Sequence, residues 1–263
     1  ANQYRAYARS YLAETTAECH EVQRRFDNRD YVQVYAETGL LGPRSILGHG
    51  IHLDLVQREQ LAATDSIIAH CPTANSFLGS GTMNRRSHRQ SGIPITLGSD
   101  IGAGFERSMV RVGRAMIEAA MQLAVHHDLE IDDPQVVPTA AHAWHQITTG
   151  NANALGWPDR GRIQSGAAAD LVLVQPDIPW LETRCPLSTL MFAWDDRWIK
   201  RTLVGGKSLY QAQSNHAGGS RRSSTMIWTR SMRRSNSVIT PNWSATRMWT
   251  VVATPGGVWC RQP

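Results

Sequence analysis

Glu14, His49, His52, His70 and Asp100 are the side chains in this sequence whose types could together hydrolyse a bond. Imidazole and carboxylate are what a hydrolytic metal site needs, with one coordination position left open. A carboxylate is needed as well to move protons. Glu14, His49, His70 and Asp100 each follow a short apolar run, so their spacing puts four polar groups at the ends of four successive strands. Taken singly, each has a plainer reading. Glu14 could be a carboxylate favoured at a helix N-terminus, His49 a structural histidine, and Asp100 the cap of the turn that follows. Residue types alone carry the argument as far as a metal-assisted hydrolase on a TIM-like scaffold, with structural histidines as the alternative.

The elements that must position these groups are legible in outline. Residues 6–14, short and mixed, read as a strand, the runs SILGH and SIIAH as buried strands, and IPITLG as the next strand. Helical periods are predicted over 15–37, 53–63, 84–91, 109–127 and 134–149. Alternating strand and helix implies a parallel sheet with crossover helices, in which chemistry gathers at the C-terminal strand ends. After residue 150 the character changes. ADLVLV reads as a strand and KRTLVGGKSL as a hairpin turning at Gly205–Gly206. The predicted organisation is an α/β body over 1–150, a small β unit over 151–211 and a tail over 212–263.

Charge divides along the same lines. Residues 1–211 carry 20 Lys and Arg against all 22 Asp and Glu, whereas 212–263 carry seven Arg and no acid. The body is therefore slightly acidic and offers no phosphate-binding face, so no nucleic-acid partner is expected. The tail, rich in Ser, Arg and Trp without an amphipathic period, reads as a disordered or non-native extension. No apolar run is long enough to span a bilayer and no leader is visible, so a cytoplasmic protein without membrane partner is expected. Cysteines at 19, 71, 185 and 260 form no C-x-x-C pair, which fits reduced thiols.

Four blocks in order, SYLAETTAE, YAETGLLGPRSILGHGIHLD, IAHCPTANSFLGSG and LGSDIGAGFERSM, resemble the C-terminal half of the amidohydrolase superfamily, its guanine deaminase branch above all. DRGRIQSGAAADLVLV resembles the β-sandwich return of the same superfamily. The resemblance implies strands five to eight of a (β/α)8 barrel followed by part of a small β-sandwich. It implies water activated by zinc or iron, and conversion of guanine to xanthine and ammonia. Triazine-type and other purine amino- or chlorohydrolases are the alternatives within the superfamily. On this reading Glu14 shuttles protons to the leaving amine, His49 faces water and substrate, and Asp100 binds metal and takes the proton from water. His49 and Asp100 are the metal residues. His49, His70 and Asn75 line the purine pocket. A homodimer is implied for the full-length family.

The sequence also departs from that pattern. The family's His-x-His on the first strand has no counterpart, and Tyr11 stands where a metal-binding histidine precedes L-x-E. A phenol with pKa near 10 is a poor ligand at neutral pH. Zinc or iron is therefore expected to bind weakly or not at all to this chain. The alternative to a deaminase is a non-catalytic, metal-deficient fragment or scaffold. Ser80 is a candidate substrate contact and His52 a surface or supporting residue. Gly79, Gly102 and Gly104 read as turn residues, and His126–His127 as a solvated helix end.

Overall fold

Short β-branched runs alternate with capped helices along the first half of the chain, and the backbone follows them. The structure, a computed structural model, describes residues 6–213 and the backbone of 225–229 and 248–249. The chain divides into two units between Ile147 and Thr148.

In the first unit four strands pair in parallel and in chain order: β1 (Ala8–Leu12), β2 (Ser45–His49), β3 (Ile67–His70) and β4 (Ile95–Leu97). Parallel neighbours need crossover connections, and helices supply them. These are α1 (Thr16–Arg25), α2 (Tyr31–Glu37), α3 (Leu55–Ala63), α4 (Pro72–Leu78) and α5 (Arg85–Gln90). The helix α6 (Met109–His126) follows β4, and α7 (Ala140–His145) follows that. Leu12, Leu47, Ile68 and Ile95 from the strands form one core with Val32 and Leu61 from the helices. Leu12, Leu47 and Leu61 are fully buried, each contributing roughly 1.5–3 kcal/mol.

The helix predicted over 15–37 is two helices. Asp27 and Asn28 adopt left-handed φ of 53° and 63°, which breaks the first, and Asp30 opens the second with a capping box to Gln33. The helix predicted from residue 134 begins instead at Ala140, because Thr139 is its cap. It runs on into a π-helical stretch, Gln146–Gly150. Helix α4 was not foreseen, since Pro72 reads as a strand terminator. Here Pro72 occupies the first helical turn, where its missing N–H costs nothing.

The second unit begins with α8 (Asn151–Ala154) and contains α9 (Pro186–Phe192). Its sheet has β5 (Leu171–Val174), β6 (Ile199–Val204), β7 (Lys207–Gln211), β8 (Thr225–Thr229) and β9 (Met248–Trp249), in the order β7-β6-β5-β8-β9. The β6–β7 hairpin turns at Gly205 and Gly206, both with positive φ, as a two-residue primed turn requires. An ion pair underlies the turn. Arg160 donates to Asp170, both are buried, and the other Asp170 oxygen accepts the N–H of Gly205 at 2.7 Å. Of the tail over 212–263, the strands β8 and β9 are seen as backbone; the rest of that expectation lies outside the described residues.

Candidate active site

Three strand ends leave regular geometry together. Ala13 after β1, His49 at the end of β2 and Asp100 beyond β4 have φ of 46°, 71° and 48°. Left-handed backbone at a residue with a side chain costs on the order of 1–3 kcal/mol and persists only where its surroundings enforce it. Here the bonds are visible. The Gly50 N–H donates to the Leu12 carbonyl at 2.8 Å, and the Ile51 and His52 amides both donate to the Ala13 carbonyl at 3.1 Å. The buried ring of His88 reaches across from α5, with Nε2 2.8 Å from the Gly50 carbonyl. The bend at Ala13 also resolves a conflict in the sequence. A straight strand would send Tyr11 and Glu14 to opposite faces.

These turns bring three of the anticipated residues together. His49 is fully buried, and its Nε2 lies 3.5 Å from Glu14 Oε2 and 3.9 Å from Asp100 Oδ2. On the far side of the ring Nδ1 lies 2.7 Å from Asn75 Oδ1. An amide oxygen only accepts, so Nδ1 carries a proton and the ring is held with Nε2 toward the carboxylates. Asn75 thus positions His49. Ser80 has a similar part: its hydroxyl donates to Glu14 Oε1 at 2.7 Å. The Ser80 carbonyl is in turn 2.9 Å from His52 Nε2.

Tyr11 lies over this cluster, its ring stacked on that of His49 with centroids 5.3 Å apart and planes at 24°. Arg9, two residues earlier on the same strand face, lies over the Tyr11 ring at 5.8 Å and reaches Asp100 Oδ1 at 3.7 Å. Sequence reasoning passed over Arg9; the signal was its strand alternation with Tyr11. At the third turn Gly104 has no room for a side chain, because a Cβ there would lie 2.9 Å from that of Ala74.

Residues 4–209 match the Amidohydrolase family. The chain belongs to that family. This amidohydrolase is 30% identical over 216 residues to guanine deaminase of Escherichia coli (strain K12), covering 78% of this chain and 47% of that one. It is 32% identical over 202 residues to the 5-methylthioadenosine/S-adenosylhomocysteine deaminase of Nitratidesulfovibrio vulgaris, covering 76% and 44%. The solved E. coli guanine deaminase superposes with a TM-score of 0.71 at 28% identity, over 81% of this chain and 50% of that one. The chain therefore spans about half the length of the relatives it matches.

The zinc or iron that the sequence resemblance implies can be set against the donors present. His49 Nε2 and Asp100 Oδ2 are buried, without hydrogen-bond partners, and directed at the same space, as two ligands would be. Beside them stands the Tyr11 phenol rather than an imidazole. Among the described residues no three His, Cys, Asp or Glu side chains form a metal-binding group. Structural and catalytic zinc sites take three or four protein ligands. The donors among the described residues therefore do not fit a tight zinc or iron site by themselves.

His70 departs from the expected arrangement. It was expected to face one pocket with Glu14, His49 and Asp100. Alternation instead puts its side chain on the face of Ile68, which packs among the helices, and it lines a cleft beside α4 and α6. Burial, reinforced by Arg85, pushes its pKa down to about 3. A neutral buried histidine makes stability pH-dependent in a defined sense. The unfolded chain takes up this proton below about pH 6.5 and the folded chain does not. Stability is therefore expected to fall as pH drops from about 6.5 toward 3, by up to ~1.4 kcal/mol per pH unit from this group. Urea titrations of the wild type and His70→Gln at several pH values check this: the variant's slope should be lower by about one proton.

Proposed function

We propose that this chain carries the acid–base part of a hydrolytic deaminase site for amino-substituted purines, guanine first among them, on strands five to eight of a (β/α)8 barrel. The observation that supports it most is the convergence of Glu14, His49 and Asp100 on one point from three strand ends. Hydrolytic deamination adds the oxygen of water to the amino-bearing ring carbon and expels ammonia, so guanine and water give xanthine and ammonia. Two proton transfers are needed, and two carboxylates flank the reaction point. Asp100, buried and charge-compensated by Arg9, accepts the proton from the attacking water. Glu14, held by Ser80 and partly open to solvent, delivers the two protons that water gives up, one to the ring nitrogen and one to the leaving amine, so that both carboxylates end in the state in which they began. His49, fixed by Asn75, faces the oxygen that adds.

Guanine is preferred over 5-methylthioadenosine because of the LLGPR, CPTAN-to-GSG and GAG stretches. A second reading has an observation of its own. Tyr11 stacked on His49 and Arg9 on Asp100 also suit an amidohydrolase that no longer turns over. Both readings are tested by measuring ammonia and ring product from guanine and from 5-methylthioadenosine. The chain alone, supplied with zinc, is expected to give no xanthine above a metal-free blank. Joined to a segment equivalent to the first half of its relatives and carrying Tyr11→His, it is expected to favour guanine by at least about tenfold. A preference for the nucleoside would move the assignment to the other branch, and no turnover of either would favour the second reading.

A further inference from the structure

The hydroxyl that Ser80 gives to Glu14 sits on a stretch of chain with little stiffness of its own. Ser80 follows α4 in irregular backbone, between Gly79 with φ of 71° and Gly81 with φ of 120°. Glycine reaches such conformations freely and leaves them as freely, so a Gly-Ser-Gly stretch keeps a hydroxyl in place only when bonds from outside hold it. Two bonds do so, one on each side of the Ser80 Cα. The Ser80 amide donates to the Asn75 carbonyl at 2.9 Å, which ties it to the last turn of α4. The Ser80 carbonyl lies 2.9 Å from Nε2 of His52. A carbonyl only accepts, so His52 carries a proton on Nε2.

His52 ties together the two segments on which this contact depends. Its own amide donates to the carbonyl of Ala13, the residue before Glu14, at 3.1 Å. Its main chain is thus fixed to the end of β1 and its ring to the turn that carries Ser80. Gly81 makes room for the ring: a Cβ there would lie 3.4 Å from His52 Cε1 and Nε2 and 3.3 Å from Ile51 Cγ2. The Glu14 backbone has a separate anchor, its N–H donating to Glu18 Oε2 at 2.9 Å. What Ser80 decides is therefore the direction of the Glu14 carboxylate. Holding Oε1 at 2.7 Å leaves Oε2 to face His49 Nε2 at 3.5 Å.

We propose that His52 is a positioning residue for Glu14: its Nε2–H holds the Gly79–Ser80–Gly81 turn where the Ser80 hydroxyl can direct the Glu14 carboxylate toward His49. The two buried supports of the cluster then differ in kind. Asn75 bonds His49 from a helix, whereas Ser80 bonds Glu14 from a turn that depends on His52. The effect of His52 on turnover rests on the deaminase reading above, and its effect on the Glu14 carboxylate does not.

Two arms keep these apart. In the chain itself, two-bond ¹⁵N imidazole spectra are expected to show neutral His52 as the Nε2–H tautomer. His52→Leu should loosen the Ser80 and Gly81 amides in ¹⁵N relaxation and move the Glu14 carboxyl ¹³C resonance. His52→Gln, whose amide N–H reaches the place of Nε2, should leave both near their wild-type values. An Nδ1–H tautomer, or a Glu14 resonance that stays put in His52→Leu, would overturn the proposal. In the joined protein carrying Tyr11→His, His52→Leu should lower kcat for guanine by about tenfold with KM within about twofold, and His52→Gln should restore kcat to within about threefold of the parent. Equal losses in both variants, or a KM that rises as kcat falls, would show a general loss of structure and overturn the positioning role. A parent without turnover would count against the deaminase reading, and the spectra of the chain alone would still decide whether His52 directs Glu14.

Discussion

Tyr11→His raises the affinity for zinc by more than tenfold, about 1.4 kcal/mol or more, when the chain is joined to the segment its relatives carry ahead of it. The expectation rests on where Tyr11 lies. Its ring is stacked on His49, whose Nε2 shares a space with Asp100 Oδ2. An imidazole at the same position replaces a neutral phenol with a nitrogen that is deprotonated at neutral pH. The wild-type residue also gives Arg9 a ring to lie on, from which it reaches Asp100. Removing that ring loosens a cation that competes with a metal for the same carboxylate. Calorimetric zinc titration of the two joined proteins measures the difference, and equal affinities would mean that Tyr11 is not at a ligand position.

Asp170→Ala is expected to cost about 3–5 kcal/mol in the second unit, enough to unfold a unit of ordinary stability. Asp170 is 1% exposed, takes a bond from buried Arg160 and accepts the Gly205 N–H that shapes the hairpin turn. Losing the carboxylate takes the main acidic partner from a buried guanidinium and the acceptor from a turn amide together. Replacing both partners by apolar residues, Arg160→Met with Asp170→Leu, should cost much less, because no buried charge remains. Urea unfolding followed by fluorescence of buried Trp180, Trp194 and Trp198 reports on this unit. A single-variant cost below about 1 kcal/mol would show the pair to be solvated.

The strands β2, β3 and β4 were legible because their apolar runs are short, contain β-branched residues and lie beside Gly or Pro. Ser45–His49 is observed as read. The helices were less legible where a local device overrode the period. Asp27–Asn28 breaks one helix through left-handed backbone that the hydrophobic pattern does not encode. At the site, the residue types of Glu14, His49 and Asp100 were visible, but not the turns that join them, since positive φ at Ala13 and His49 is held by bonds between distant segments. His70 was misplaced for a related reason. The run SIIAH shows that a strand ends in histidine, while the face on which that histidine falls depends on the register with its neighbours. Asn75 and Ser80 could be singled out from the sequence but not given their parts, because each acts through a partner 26 or 66 residues away.

Glu14, His49 and Asp100 are proposed as the proton-handling cluster of a hydrolytic deaminase. Xanthine formation from guanine, followed chromatographically in the joined protein carrying Tyr11→His, with and without Glu14→Gln, tests this most directly. Glu14→Gln keeps the Ser80 contact's shape but cannot exchange a proton, so the rate should fall by roughly a hundredfold or more while guanine binding changes little. A Glu14→Gln rate within about threefold of its parent would contradict the claim.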